Sequence, residues 1–490
     1  MRRFSVLTIS LSLLAPALAA APAPAGAATS HVVRGAGFGH GIGMSQFGAY
    51  GYAKNGRSYR DILAHYYKGT ELSRADQRPI RVLLRNGRES ASFTGATDAG
   101  GHALDPAETY KAKPYGTLGV EIARASDDKL VERFPGPVAA TSSGAPVRLT
   151  GTALNGLSGG RYRGSIEFRP NVFGGITAVN ALSLDDYVQG VVPGEVPSSW
   201  PAEVLKAQAV AARSYALTTD AGGELFDQYP DTRSQVYRGV DHETLTTNAA
   251  VQATANEVLR YGGKIAVTYF FSTSGGRTEN VENVFYGATP SPYLVSVDDP
   301  FDNASPRHRW RLTFTARKMR SKLRGLVKGR LRRIKVVERG SSPRVVWAHI
   351  KGSRGTTRVR GATLRARLGL YDTWAYFSTV RTEQRNGPAP VPKADPPKTD
   401  APATSSPTGG VRASRRLVAL GRLPRYIAGQ ITPRPTGGVI AVERRDGSGA
   451  WRKVRRLRTS RRGTYQFTVD AAGVYRVRAG AIAGPALTVR

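Results

Sequence analysis

Apolar positions between residues 182 and 217 predict a long helix near the end of this stretch. Leu205, Gln208, Ala212 and Tyr215 recur at helical spacing, which places them on one face. Several alanines nearby favour helix and allow another element to approach closely. Gln208 is the polar member of this apolar face. It is either a core amide bonded to a backbone group or an amide that faces a functional site.

The residues just before this helix predict a loop that carries one carboxylate. Glu195 lies among prolines and glycines, which indicate a turn. Ser198 and Ser199 are expected to cap the first helical amides, and Pro201 suits the first turn. The sequence therefore predicts Glu195 on a tight loop at the mouth of the helix.

Upstream of this stretch, alternation of apolar and polar residues predicts a lobe rich in β-strands. Turn-forming Gly, Pro, Asp and Asn separate the runs. The predicted strands are 80–84, 119–122, 147–149, 162–164, 165–168 and 176–180. This lobe carries no residues to which a chemical role can be assigned.

A glycine-rich segment precedes the β-rich lobe. Glycine occupies every second position from Gly35 to Gly43, which allows positive φ or a close backbone approach. It lacks the pattern of a nucleotide-binding loop. Two helices are expected after it, one starting near Met44 and one over 59–67.

Downstream, a helix is expected over 248–259 and a buried strand over 265–271, leading into a serine-glycine turn. Ser274 precedes two glycines, but the G-x-S-x-G nucleophile elbow is absent. We expect a tight turn that binds sugar or orders a site loop. Residues 305–380 are dense in Arg and Lys, yet they keep patterns for strands at 334–337 and 345–350 and for a helix at 361–368.

The ends of the chain predict further units. Residues 1–27 have the basic start, apolar run and small-x-small site of a secretory signal peptide, cleaved near Ala27. Residues 386–412 indicate a Pro/Ala/Ser/Thr-rich linker. Residues 413–490 predict a small β-sandwich accessory domain, with strands at 439–442, 465–469, 474–477 and 486–489. The main domain is expected over 31–380, and the fold class is α+β.

Charge and cysteine content narrow the functional classes. The formal net charge is +35, which predicts attraction to polyanions. There are no cysteines, which excludes disulfides, Cys-zinc sites and a thiol nucleophile. A protein expected to be secreted, extracellular or associated with the cell wall does not normally meet nucleic acid. The charge therefore favours anionic wall polymers or a membrane surface.

The chain resembles the SpoIID/LytB family, which contains stage II sporulation protein D and the amidase enhancers. The resemblance rests on LDDYVQGVVPGEVPSSWPAEVLKAQAVAARSYAL, DTRSQVYRG, FSTSGGRTENVENVFYG, PYLVSVDDP and GFGHGIGMSQFGAYGYAKNGRSYRDILAHYYKG. In the family pattern, the GHGIGMSQ-type segment follows the serine-glycine segment. Here it comes first, so the chain is expected to be circularly permuted.

The resemblance implies a SpoIID-like catalytic domain that acts on peptidoglycan glycan strands. Glu195 corresponds to the catalytic acid of a lytic transglycosylase, which needs one carboxylate where ordinary glycosidases use two. The candidate substrate-binding residues are His40, Ser45, Gln46, Trp200, Gln208, Arg213, Ser274, Gly275 and Gly276. No cofactor is expected. The histidines are scattered, which disfavours a metal site.

Two difficulties leave other functions open. A helix N-terminus would lower the pKa of Glu195, whereas a general acid needs it raised, so apolar cover must dominate. Asp185 and Asp186 are expected to serve a turn or a helix cap rather than the reaction. The alternatives are a non-catalytic binder that modifies a cell-wall amidase, and a basic surface-adhesion protein whose accessory domain carries the function.

Overall fold

The computed structural model describes residues 28–76, 78–171 and 174–382, and then 425–430, 439–446, 448–458, 464–469, 473–479, 482–483 and 487–489. The predicted signal peptide (1–27) and linker (386–412) lie outside the described residues, as does part of the predicted accessory domain. Helices and strands are mixed along the described ranges, which confirms the α+β class.

The first elements surround the glycine-rich segment. They are β1 (Ala28–Ala36), β2 (Met44–Ser45), α1 (Gln46–Lys54), α2 (Tyr59–Tyr66) and β3 (Glu71–Arg74). At Gly41, φ is +91°, and a Cβ would lie 2.5 Å from Nε of Arg344. Gly41 is therefore needed both for its positive φ and for the close approach of Arg344. A capping box between Ser58 and Asp61 starts α2.

Residues 80–182 form a lobe of two six-stranded antiparallel sheets. Its strands are β4 (Ile80–Arg88), β5 (Ala91–Thr94), β6 (Asp98–Ala99), β7 (His102–Ala103), β8 (Thr109–Tyr115), β9 (Gly119–Arg124), β10 (Leu130–Phe134), β11 (Val138–Thr141), β12 (Val147–Leu149), β13 (Arg161–Tyr162), β14 (Ser165–Pro170) and β15 (Ile176–Leu182). The sheet orders are β10-β9-β8-β5-β12-β13 and β4-β15-β14-β11-β6-β7. Phe93 and Phe168 meet between the sheets with ring centroids 4.8 Å apart, so the apolar faces share one core.

Three helices follow the lobe: α3 (Leu184–Glu195), α4 (Ala202–Thr218) and α5 (Leu245–Ala253). From Ala207 to Ala216 the α4 helix is buried on all sides, because it lies between two apolar clusters. Leu205 and Ala209 pack into the core of the β-lobe, whereas Val204 and Ala211 pack with residues of α1 and α2. The small alanines allow both neighbours to approach α4 closely.

The stretch before α4 differs from the predicted loop because it is helical. Ser183 is the N-cap of α3 and accepts a hydrogen bond from the Asp186 N–H, and Pro193 lies inside the last turn. The residues with helical apolar spacing in α3 are fully buried: Leu184, Tyr187, Val188 and Val191. Their burial outweighs the cost of about 3 kcal/mol that a proline imposes within a helix.

The start of α4 also differs from the prediction. Pro201 occupies the N-cap position and α4 begins at Ala202 with no side-chain cap. Ser198 and Ser199 therefore do not cap it. They lie in the short connection between α3 and α4, ahead of the proline that sets the entry to the helix.

Strands after α5 connect the N-terminal elements to the serine-glycine turn. The elements are β16 (Glu257–Tyr261), β17 (Lys264–Ile265), β18 (Phe270–Phe271) and α6 (Val281–Val284). The helix predicted over 248–259 ends at Ala253, because Asn256 adopts φ of 63° and the chain becomes extended. The strand predicted over 265–271 is reduced to β17 and β18. β18 pairs in parallel with β2.

The basic segment is folded, as predicted. Its elements are β19 (Arg309–Thr315), α7 (Ala316–Lys322), β20 (Leu331–Arg339), β21 (Val345–Gly352), β22 (Gly355–Arg360), α8 (Gly361–Leu368) and β23 (Ala375–Thr382). β1 lies between β19 and β23, with Val33 opposite Leu312 and Phe377. The N-terminal strand is thus the centre of a sheet whose outer strands come from residues 309–382.

The described residues from 425 onwards contain strands. These are β24 (Arg425–Gln430), β25 (Val439–Arg445), β26 (Trp451–Arg458), β27 (Thr464–Val469), β28 (Gly473–Ala479), β29 (Ile482–Ala483) and β30 (Leu487–Val489). β24 pairs with β27, and the others form a second sheet. In the described parts of the chain, no helix has the length and apolar character needed to cross a membrane.

Candidate active site

Glu195 is the last residue of α3 and lines a cleft of about 540 Å³. Its Oε1 accepts a hydrogen bond of 2.7 Å from the backbone N–H of Val236. Gly194 allows this contact, because a Cβ at that position would lie 2.5 Å from the Val236 carbonyl oxygen. The last turn of α3 and the chain around Val236 therefore fix the carboxyl at the wall of the cleft.

Burial raises the pKa of the Glu195 carboxyl above its ordinary value. The Val236 N–H and the Gln46 side chain lower the pKa, but together they do not cancel the effect of burial. The helix dipole also acts on Glu195 in the direction opposite to the one expected from sequence. Glu195 lies at the C-terminus of α3, where the helix dipole disfavours an anion, and not at the N-terminus of α4.

Gln46 and Gln208 connect two helices beside this carboxyl. Gln46 begins α1 and donates from Nε2 to Oε1 of Gln208 in α4, at 3.4 Å. Both side chains are buried, and Nε2 of Gln208 has no hydrogen-bond partner in the described part of the chain. Gln208 is thus neither of the two simple cases expected from sequence, since its amide bonds a cleft residue and not the backbone.

His40 lines the same cleft as Glu195, but both of its ring nitrogens are bonded to backbone. Nδ1 accepts a hydrogen bond from the Ile42 N–H at 3.0 Å, so Nε2 carries the proton and donates it to the Phe270 carbonyl at 3.0 Å. Burial lowers the pKa of His40 to about 3. The ring is therefore neutral and held in place, which suits a cleft wall and not proton transfer.

The remaining walls of the cleft are rich in aromatic rings and small hydroxyl-bearing residues. The aromatic lining residues are Phe38, Tyr215, Tyr269, Phe270, Phe271 and Phe285. The hydroxyl-bearing ones are Thr232, Ser234, Ser272 and Thr373, and α8 contributes Ala362, Arg365 and Ala366. Rings that cover apolar sugar faces, together with polar groups that reach hydroxyls, are suited to a carbohydrate ligand.

Residues 173–261 match the family described as Stage II sporulation protein, SpoIID. This range contains Glu195, the whole of α4 and the DTRSQVYRG segment whose Val236 holds the carboxyl. This part of the chain therefore carries the sequence pattern of the SpoIID family. Residues 37–69 lie outside the matched range, and their permuted order stays a prediction from sequence.

Three relatives have sequences similar to this chain, and two of them are named as a sporulation protein and an amidase enhancer. The chain is 33% identical to Stage II sporulation protein D of Bacillus subtilis (strain 168) over 213 residues, which are 39% of this chain and 60% of that protein. It is 37% identical to the Amidase enhancer of the same organism over 142 residues, 29% of this chain and 19% of that protein. An uncharacterized protein of Brachyspira hyodysenteriae is 42% identical over 157 residues, 31% and 41% of the two chains. This chain spans less than two thirds of each of these relatives.

The structure places other predicted substrate-binding residues behind the cleft wall. Ser45 is buried and its Oγ accepts from the N–H groups of Gly48 and Ser274. Ser274 is also buried, and its Oγ accepts from the Gly276 N–H. Gly275 donates from its backbone N–H to Asp302 at 2.6 Å. These hydrogen bonds fix the serine-glycine turn against Ser45 and Asp302, and its role in the site stays a prediction.

Arg213 and Trp200 also lie outside the lining of the cleft. Arg213 is buried and pairs with Asp185 at 2.7 Å, which fixes the start of α3 against α4. Trp200 packs against Phe47 and Tyr50, with both ring centroids 5.0 Å from its own. These contacts stabilise the elements that hold Glu195. Neither the Arg213 side chain nor the Trp200 side chain lines the cleft.

Most of the aromatic and hydroxyl-bearing lining of the cleft was not predicted from the sequence, and neither were two polar groups beside it, the Val236 N–H and Arg365. The Val236 N–H could not be recognised because a backbone group has no signature of its own. The sequence predicted the α8 helix correctly, but it placed Arg365 only within a basic segment and not in the site. No group of three or more His, Asp or Glu side chains is placed to hold a metal ion within the described ranges.

Proposed function

We propose that the protein is a lytic transglycosylase that cleaves peptidoglycan glycan strands between N-acetylmuramic acid and N-acetylglucosamine. Glu195 is the general acid and then the general base. The family and the names of its relatives support a role related to sporulation or the cell wall. The specific reaction is inferred from the cleft.

The observation that carries the proposal is a single carboxyl with a raised pKa in a ring-lined cleft. Among the described residues that line the cleft, Glu195 is the only acid. Hydrolases of the usual kind place two carboxyls on either side of the bond that breaks. One acid that both donates and accepts a proton removes the need for a second.

The reaction conserves atoms and charge without water. Protonated Glu195 gives its proton to the glycosidic oxygen as the bond from that oxygen to the anomeric carbon breaks. The resulting carboxylate takes the proton of the muramic acid C6 hydroxyl, whose oxygen closes onto the anomeric carbon as a 1,6-anhydro ring. The raised pKa favours the first step. The hydrogen bonds from Val236 and Gln46 stabilise the anion between the steps.

A second candidate is a glycan-binding protein that modifies a cell-wall amidase and does not cleave. One relative is named Amidase enhancer, and an aromatic cleft can hold a glycan without breaking it. In that case the raised pKa of Glu195 would be a consequence of burial with no role in a reaction. The two candidates differ in whether purified protein shortens glycan strands.

We also propose export and affinity for anionic wall polymers. Residues 305–380 contain 21 Lys and Arg but only two acidic residues, Glu338 and Asp372. On the sheet of β20, β21 and β22, Lys335, His349 and Arg358 are aligned across the strands. Such a face attracts polyanions. Export rests on the predicted signal peptide, and an N-terminal sequence of the mature protein in culture medium tests it.

The test compares wild type with Glu195→Gln on purified glycan strands, with products identified by mass spectrometry. Wild type is expected to release fragments that end in 1,6-anhydromuramic acid, and Glu195→Gln is expected to release none. Glu224→Gln is the control, because Glu224 is an exposed carboxyl away from the cleft. Intact strands with wild type, together with stimulation of an added amidase, would favour the second candidate.

A further inference from the structure

Arg365 places a cation in the wall of the cleft, near the ion pair of Arg344 and Asp372. It lies on α8 with Ala362 and Ala366, and these three lining residues are spaced so that they share one helix face. Its Nε is buried and has no hydrogen-bond partner within the described ranges. The alanines on either side leave the guanidinium open to a ligand in the cleft.

Asp372 is the carboxylate that attracts Arg365, but it is already paired with Arg344. Its Oδ1 and Oδ2 each accept a hydrogen bond of 3.0 Å from Arg344. Oδ1 also accepts from the Trp374 N–H at 2.9 Å. Asp372 therefore attracts Arg365 electrostatically but does not bond it. A partly buried guanidinium without its own anion is unfavourable unless a ligand supplies one.

Glu195 is not the missing partner of Arg365. A guanidinium next to a carboxylate would lower its pKa. The groups that act on Glu195 are its buried surroundings, Val236 and Gln46, and the resulting pKa is raised. The cation and the acid therefore occupy separate positions along one cleft. A ligand that fills the cleft would reach Arg365 at a distance from the bond that reacts.

We propose that Arg365 binds a carboxylate carried by the glycan strand, on a sugar that lies in the cleft when Glu195 meets the scissile bond. This inference rests on the proposed function, and the carboxylate it fits is the lactyl group of N-acetylmuramic acid. The planar guanidinium can bond both oxygens of a carboxylate. Arg365 lies outside the family-matched range 173–261, so the basic segment supplies a substrate-selecting residue of its own.

The test measures binding calorimetrically in a Glu195→Gln background, which prevents turnover. The probes are a tetrasaccharide of alternating N-acetylglucosamine and N-acetylmuramic acid with free lactyl carboxylates, and the same tetrasaccharide as its methyl ester. Arg365→Gln is expected to weaken binding of the free acid by about tenfold or more and to leave binding of the ester unchanged. Arg367→Gln is the matched control, because it removes an equal charge from an exposed position of α8.

A measurement of thermal unfolding separates binding from folding. Removal of an unpaired guanidinium is expected to leave the melting temperature unchanged or to raise it. The inference is overturned if Arg365→Gln weakens both tetrasaccharides equally, or if the parent protein binds acid and ester alike. Failure of the parent protein to bind either probe would instead refute the proposed function, and the inference with it.

Discussion

At the scale of single residues, the protonation of Glu195 depends on opposing contacts. Burial favours the neutral acid, and the hydrogen bonds from Val236 and Gln46 favour the anion. Because burial dominates, the acid form persists to higher pH than for an ordinary glutamate. An activity that needs this acid falls as the pH rises through the raised pKa, so the alkaline side of the pH–rate profile reports on Glu195.

Gln46→Leu is expected to move the alkaline limb of the kcat/KM profile to higher pH. The substitution removes a hydrogen bond that lowers the pKa of Glu195, so the pKa rises further. Gln252→Leu, at an exposed position of α5, is expected to leave the limb in place. A limb that stays fixed or moves to lower pH in Gln46→Leu would show that another group governs the profile.

Asp299 is a second buried acid, away from the cleft, and it makes a prediction about stability. Burial, reinforced by the nearby Asp302, raises its pKa to about 6 from 3.8. The folded protein therefore holds a proton that the unfolded chain has lost between these two values. The contribution of Asp299 to the free energy of unfolding is therefore most favourable below about pH 4, falls as the pH rises to about 6, and is constant above that.

Asp299→Asn is expected to remove this pH dependence and to raise the free energy of unfolding at pH 7 by about 2–3 kcal/mol relative to wild type. Asparagine keeps an acceptor for the Tyr66 hydroxyl, which donates to Asp299 at 2.9 Å. Asp298→Asn is the control, because that neighbouring carboxyl is 79% exposed. Urea unfolding from pH 4 to 7.5 makes the measurement. A pH-independent difference between Asp299→Asn and wild type would contradict the linkage.

At the scale of elements, the last turn of α3 places the acid. A helix that continues through Pro193 to Glu195 brings the carboxyl to the Val236 amide, and Gly194 provides the space. The C-terminal end of the helix also disfavours the anion, in agreement with the direction set by burial. The last turn of α3 therefore both positions the Glu195 carboxyl and favours its protonated form.

Gly194→Ala is expected to reduce kcat/KM by about tenfold to a hundredfold. The new Cβ would lie 2.5 Å from the Val236 carbonyl oxygen, so that segment must move and its bond to Glu195 is lost. Gly136→Ala is the control, because a Cβ there meets no atom within 4 Å and φ is not positive. Equal activities of the two variants would mean that the Val236 contact does not position the acid.

Sequence patterns recovered elements whose signals are local. The face of α4, the six predicted strands of the β-lobe and the α8 helix all follow from periodic apolar positions. The α3 helix was missed because Pro193 and Gly194 are typical of loops, and only burial against the lobe and α4 offsets them. The role of Arg365 was missed because the absence of a partner depends on packing.

At the scale of the whole molecule, the cleft is assembled from distant parts of the chain. The N-terminal segment supplies His40 and Gln46, the family-matched region supplies Glu195, and the basic segment supplies Arg365. β1 holds the N-terminal segment in place between β19 and β23. The resemblance in sequence predicted one site for His40, Gln46 and Glu195, but the pairing of β1 that helps to bring them together could not be read from the sequence.

A chain that ends at Thr382 is expected to keep the wild-type kcat/KM on soluble glycan strands. Every described residue that lines the cleft lies between Phe38 and Thr373. A chain that ends at Asp302 is expected to be insoluble or unfolded, because β1 would lose both of its neighbouring strands. If the chain that ends at Thr382 folds but has no activity, residues beyond it take part in the reaction, and the accessory-domain alternative gains support.

If Glu195 closes the anhydro ring without water, digestion in H2(18)O leaves no label in the products. Wild type is expected to form anhydro-ended fragments that contain no heavy oxygen, and Glu195→Gln is expected to form none. New fragments that end in a labelled reducing sugar in place of the anhydro ring would show that water attacks the anomeric carbon. That result would contradict a transglycosylase reaction at Glu195 and would require a second catalytic group in the cleft.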